Sequence, residues 1–278
     1  MGGINRPAIT IVGHVCIDHN SIDGNYHESW GSALLYIAEY FRRIHTIQPN
    51  LIAPYGQDLR EFVDTKAFID PPSVEHTLIY KNTIIDGVRV QAVEYSDTAM
   101  PIALSDTIRS ILSSTDIFIL APLLPNYSAD YVRQLYEQLP DHAQKILLPQ
   151  GYYRKVGKNG AILQRGFVEA NEILPYIDVL IQSDEDSTDA LKAANAWTRT
   201  HPDLTAVVTQ NSRGASVFTH SNTFSMPTKP IPTSNIINAV GAGDVFSAEL
   251  ALSLHDHVEL RTALSKAQKA AHRHIIGN

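Results

Sequence analysis

The sequence has a single cysteine, Cys16, and that scarcity excludes both an internal disulfide and a cysteine-built zinc site within one chain. A reducing compartment is the expected setting. Basic charge is also in short supply, with 22 Lys and Arg against 29 Asp and Glu, a formal net charge of −7. Broad nucleic-acid binding needs a basic face, so no nucleic-acid partner is expected. No apolar run approaches the roughly 20 residues that cross a bilayer, and Met1 to Arg6 lack the charged-then-apolar order of a signal peptide. The expectation is therefore a cytoplasmic protein with no membrane partner. Charged residues make up only 18% against 44% hydrophobic, too few for a disordered chain and enough apolar material for a large core. Internal repeats and low-complexity linkers are missing as well, so residues 1–278 are read as one domain.

What is present is an alternation of short, β-branched apolar runs with segments of helical period, the pattern of a parallel sheet covered by helices. Strands are expected at Ala8–Gly13, Asn50–Ala53, Asp116–Leu120, Lys145–Pro149, Ile177–Ile181, Ala206–Thr209 and Ala215–Phe218. Helices are expected at Ser32–Ile44, Ser128–Gln138, Asp186–Thr200, Ala242–His255 and Leu260–Ile275, several opened by capping residues. One region breaks the alternation. Thr77–Tyr80, Thr83–Ile85 and Val88–Tyr95 read as successive strands, with Asp86-Gly87 as a tight turn. They form either a lid over a ligand crevice or a structural edge hairpin. The Pro-rich stretch Met226–Pro232 reads as a stiff surface connection.

The most informative segment is Asn238-Ala239-Val240-Gly241-Ala242-Gly243-Asp244-Val245-Phe246, which opens the apolar helix that follows. Small residues at a helix start let backbone N–H groups approach an anion, and the helix dipole adds favourable potential. Asp244 falls in the first turn, where a carboxylate beside an anion cradle is repelled by the ligand unless it has chemical work. That work is general base, taking the proton of a hydroxyl as it attacks a phosphoryl group. The plain alternative is a glycine turn capped by an ordinary Asp, since short glycine motifs are weak when taken alone.

With these residues the chain resembles the ribokinase/PfkB family of ATP-dependent small-molecule kinases. Gly241 to Asp244 match the end of the family signature Asp-Thr-x-Gly-Ala-Gly-Asp, with Asn238 and Ala239 in its first two places. Ile11-Val12-Gly13-His14-Val15-Cys16-Ile17-Asp18 is similar to the family's first strand and substrate-binding aspartate. Trp30-Gly31-Ser32-Ala33 takes the place of the Gly-Gly motif, with Ser32 for its second glycine and Tyr36 where an asparagine is common. Val207–Ala215 is similar to the nucleotide-side strand and turn, with Asn211 replacing a glycine.

The resemblance implies a Rossmann-like three-layer α/β sandwich with a small β lid, built from about 15–30 and 76–96, and ATP and Mg2+ as cofactors. It implies Asp244 as the base, and the amides of Gly241, Ala242 and Gly243 as an anion hole. It places Thr209, Asn211, Gly214 and Gln268 on the nucleotide, and a small hydroxylated acceptor on Asp18, Asn20, Gly31, Ser32, Arg89 and Gln150. Arg89 and Gln91, one strand period apart, should share a face. The stretch from Arg89 through Pro101-Ile102 resembles the inositol-kinase branch, so a cyclic polyol stands beside furanose sugars and nucleosides as acceptor. A homodimer through the lid is a further implication.

Departures from the family pattern keep a second reading open, a non-catalytic ligand-binding or regulatory protein on the same fold. The family's Asn-x-x-Glu metal motif corresponds to Ser183-Asp184-Glu185-Asp186, which leaves Asp186 for Mg2+ or, equally, Ser183 and Asp186 as a helix-capping pair. Asn238 and Ala239 put a monovalent-cation site in doubt. Asp18 alone also reads as a turn cap. Among the twelve histidines, His255/His257 and His272/His274 are spaced i, i+2 on helices and point to different faces, so they do not pair as metal ligands. A dinucleotide oxidoreductase is excluded because Gly13 begins no Gly-x-Gly-x-x-Gly turn.

Overall fold

The structure, a computed structural model, describes residues 6–22, 24–86 and 88–277. Residues 1–5, on which most of the signal-peptide reading falls, and Gly87 of the expected turn lie outside the described residues. The strands run β1 (Ile9–Gly13), β2 (Cys16–Ile22), β3 (Asn25–Gly31), β4 (Asn50–Ile52), β5 (Leu78–Ile85), β6 (Val88–Glu94), β7 (Ile117–Ala121), β8 (Gln144–Leu147), β9 (Arg154–Val156), β10 (Ile162–Gln164), β11 (Val179–Ser183), β12 (Thr205–Thr209), β13 (Ala215–Phe218) and β14 (Thr223–Met226). The α-helices are α1 (Ala33–Tyr40), α2 (Asp106–Leu112), α3 (Ala129–Tyr136), α4 (Ala170–Ile173), α5 (Ala190–Thr200), α6 (Ala242–His255) and α7 (Leu260–Ile275).

Eight strands form one sheet in the order β14-β13-β12-β11-β8-β7-β1-β4, parallel except for the β12-β13-β14 edge. The fully buried run Ile117-Phe118-Ile119-Leu120-Ala121 sits between β1 and β8, and its period of two divides the core. Ile117 and Ile119, with Ile9, Ile11 and Val207, meet Leu34 of α1, Phe246 and Leu250 of α6, and Leu264 of α7. Phe118 and Leu120, with Val12, Leu180 and Val208, meet Leu112 of α2, Val132 of α3, Ile173 of α4 and Ala194 of α5. Helices thus cover both faces of the sheet, giving the expected three-layer α/β sandwich. No helix among the described residues is long and apolar enough to cross a membrane.

A second sheet of four strands, β3-β2-β5-β6, stands apart from the main one. Two expected strands, Thr77–Tyr80 and Thr83–Ile85, are one continuous strand, β5. Lys81-Asn82 interrupts the apolar pattern without breaking the ladder, because β2 on one side and β6 on the other satisfy the backbone of β5 along its length. The helix expected from Asp186 begins only at Ala190, since the Asp186 carboxylate turns back to accept from the Ser183 N–H at 2.9 Å. Ser32–Ile44 is α-helical over Ala33–Tyr40 and widens into a π turn over Phe41–His45 that ends at Thr46, where φ is 51°. The Pro-rich segment carries no regular structure from Pro227 to Pro232.

Candidate active site

The carboxyl ends of β7, β8, β11 and β12 and the start of α6 converge on one small cavity of about 100 Å³, at the edge where open α/β sheets bind ligands. Asp244 in the first turn of α6, Asp186 after β11, Gln150 after β8, Thr209 at the end of β12 and Gly243 share its wall. Burial pushes the Asp244 carboxyl up to about 7, with the nearby Asp186 carboxylate adding to the rise. Burial also raises Asp186, against the pull of the Ser183 N–H, Arg154 and Gln150. A carboxyl whose ionisation is opposed by burial and by a neighbouring acid marks a place that a cation would relieve.

The turn into α6 requires glycine. Gly241 has φ 82°, and a Cβ there would overlap the Tyr36 ring. The Ala242 N–H is directed at the Ala239 carbonyl at 3.2 Å. Those of Gly241, Gly243 and Asp244 have no acceptor among the described residues, which leaves them open at the positive end of a 14-residue helix.

A larger cavity of about 350 Å³ adjoins the first and shares Thr209 and Gly243 with it. Asn211, Gly214 and Gln268 line it, so all four residues expected on the nucleotide side border one space. Its other walls include Ile231, Ile236, Phe246 and Ile275, apolar surface suited to a flat heterocycle. Gly214 holds φ 100°. Asn211 donates to Glu185 Oε1 at 2.8 Å, and Arg213 pairs with Asp184, so the turn after β12 is tied to the acidic turn after β11. The Gln268 amide is itself engaged, donating to the Met226 carbonyl at 2.9 Å.

In the four-stranded sheet, Asp18 lies within β2 rather than in a turn after the first strand, so the turn-cap alternative does not apply. Gly31 of β3 pairs beside it, and a Cβ at Gly31 would collide with the Asp18 carboxyl. Ser32 is 7% exposed, caps α1 through its Oγ to the Leu35 N–H at 3.3 Å, and holds φ 126° in a region that favours glycine. Arg89 and Gln91 share a face as expected, and both donate to one atom, Asn82 Oδ1, at 2.9 and 2.8 Å. The Asn82 amide donates in turn to Asn20 Oδ1 at 3.2 Å and to Asp18 Oδ1 at 3.5 Å. Burial raises the Asp18 carboxyl, opposed by Cys16, Arg89, Asn82 and Arg154. Tyr36 feels both acids: burial first, then Asp18 and Asp244, push its hydroxyl up to about 12.

Asn82, only 8% exposed, is the residue that sequence reasoning missed. The available signal was an amide at an inward position of an otherwise apolar period-two run. Arg154 was missed as well, and nothing in its local sequence marks it.

A sequence model of the pfkB family carbohydrate kinases matches residues 94–274, about two thirds of the chain. The chain belongs to this family. No individual curated protein matches it by sequence. Among solved structures, a pyrophosphate-dependent kinase in the ribokinase family superposes with a TM-score of 0.75 at 16% identity, over 96% of this chain and 95% of that one. Ribokinase from Thermotoga maritima gives 0.73 at 16%, over 98% and 93%. Adenosine kinase from Anopheles gambiae gives 0.76 at 13%, over 98% and 96%. At these identities the likeness establishes the ribokinase-like fold of this PfkB chain and nothing finer.

Proposed function

We propose that this PfkB-family protein transfers the terminal phosphoryl group of ATP to a hydroxyl of a small polyhydroxylated acceptor, with Asp244 as general base. One observation carries the reading: a carboxyl held near neutrality sits beside unpaired helix N-terminal amides, at the junction of a nucleoside-sized cavity and a smaller one that Asp186 and Gln150 help line. In its ionised form Asp244 accepts the proton of the attacking hydroxyl. The open amides of Gly241, Gly243 and Asp244 receive the charge that gathers on the phosphoryl oxygens. The apolar cavity takes the adenosine moiety, which favours ATP over a donor without a base.

The acceptor lies against the lid. Asp18 and the Asn20–Asn82 amide pair offer neighbouring hydrogen-bond partners for adjacent hydroxyls, an arrangement suited to a cyclic polyol or a furanose. The residues fit a magnesium ion held mainly through phosphate and water. Asp186 would hold it, and no group of three or more His, Cys, Asp or Glu forms a metal cage among the described residues. Bound there, the ion would supply charge neutralisation for the donor phosphates.

The test is ADP release with magnesium-ATP across polyols, sugars and nucleosides, on the native protein and Asp244→Asn. At least one acceptor is expected to lose about 100-fold or more in turnover, the scale of a lost general base. Equal turnover in both proteins removes Asp244 from the mechanism. Failure of every nucleotide to raise the melting temperature returns the protein to the non-catalytic reading.

A further inference from the structure

Beside the lid runs a groove of about 570 Å³ that the site above does not use. The loop after β6, the loop after β7 and the β9 strand wall it, so it opens on the same edge of the sheet as the active site. Arg154 lines it. The guanidinium lies 5.1 Å over the Tyr80 ring, and Tyr80 is the register partner of Asp18 across the lid. Its one hydrogen bond among the described residues goes to the Leu123 carbonyl at 3.2 Å.

A partly buried arginine offers five N–H donors and is ordinarily matched to a carboxylate or phosphate. Arg165 in the same groove is so matched, with Glu169 at 2.7 Å. Arg154 makes no direct ion pair among the described residues, its charge reaching Asp18 and Asp186 only from farther off, and the neighbouring Lys155 makes none either. Asp97 is the one acid in the wall, which leaves the groove with a net positive charge.

We propose that the acceptor carries an anionic group, a carboxylate or a phosphate monoester, which Arg154 and Lys155 hold in this groove while its hydroxyls face Asp18. The inference rests on the kinase reading and narrows its substrate class to polyol acids or polyol phosphates. Charge-assisted, bidentate bonds to a guanidinium exceed those to neutral partners. The groove is thus a selector between anionic and neutral versions of one polyol.

The experiment compares three matched acceptors: a neutral polyol, its terminal carboxylic acid and its phosphate monoester. Calorimetric binding and ADP release are measured on the native protein, Arg154→Gln, Arg154→Lys and Lys155→Gln. One of the anions is expected to bind at least about 10-fold more tightly than the neutral polyol, and which anion does so distinguishes the two sources. Arg154→Gln should cut the anionic-to-neutral preference about 10-fold or more, chiefly in KM. Arg154→Lys should recover part of it, and exposed Lys155→Gln should reduce it even if the arginine variant does not fold. Equal binding of all three acceptors overturns the proposal. A uniform fall in kcat with the preference intact also overturns it, and assigns Arg154 to the transferred phosphoryl group. The calorimetric arm needs no turnover, so failure of the kinase reading shows separately, as absent ADP release.

Discussion

Replacing the buried acid of the α6 turn should make the protein more stable while disabling it. A carboxyl carried from 3.8 to about 7 corresponds to about 4 kcal/mol at 1.36 kcal/mol per pH unit. The sign follows from the direction. The folded state holds the Asp244 proton more tightly than the unfolded chain, so the group's stabilising contribution is complete below about pH 4. It declines as pH rises and is lost once pH passes about 7. Asp244→Asn keeps the shape and never ionises. The difference in stability between variant and native protein should therefore be near zero at pH 4, grow through the intervening range and level off above pH 7. At pH 8 the variant should gain up to about 4 kcal/mol, an increase in melting temperature of up to about 8–16 °C for a chain of this size. Thermal melts of both proteins from pH 4 to 9 in metal-free buffer supply the test. An Asn variant that is less stable at pH 8, or a difference that does not change with pH, refutes the claim that this acid is buried against its own charge.

Asp186→Asn removes the second contributor to the Asp244 rise, so the acidic limb of the kcat/KM profile should move to lower pH, and half-saturation by Mg2+ should rise about 10-fold. An unmoved limb would mean that burial alone tunes the base. Ser32→Gly should relieve about 1–3 kcal/mol of backbone strain at φ 126°. Against this stand a few tenths from the lost cap and about 0.5–1 kcal/mol of glycine entropy. Urea melts should therefore show a change between a loss of a few tenths and a gain of up to about 2 kcal/mol. Asn82→Leu removes the acceptor shared by Arg89 and Gln91, two donors that water can reach, so the same melts should change by no more than about 1 kcal/mol while the acceptor KM rises with little change in that for ATP.

Much of the architecture was legible because it depends on local periodicity. Buried parallel strands such as β7 leave continuous apolar runs, α7 keeps its helical period from end to end, and α6 shows as an apolar run opened by glycines. The glycine turn into α6 was equally readable, since Gly241 is demanded by a backbone angle that few other residues adopt. Short edge elements escaped for the converse reason. β9, β10 and β14 are three or four residues long and half-exposed, too brief to show a period. The fusion of two expected strands into β5, and the late start of α5, were settled by hydrogen bonds to partners distant in the chain or to a side chain folding back.

Asp244 stood out from its own glycine-rich turn, whereas Asp18 and Asp186 were pointed to by the resemblance to the family's motifs. The placement of Asn82 between Asp18 and the Arg89–Gln91 pair, and of the Arg154 guanidinium over Tyr80, depends on which strands lie next to one another. Such pairings unite residues tens of positions apart through packing and backbone ladders. Only the folded arrangement decides whether a given amide or guanidinium finds a partner or is left to wait for a ligand.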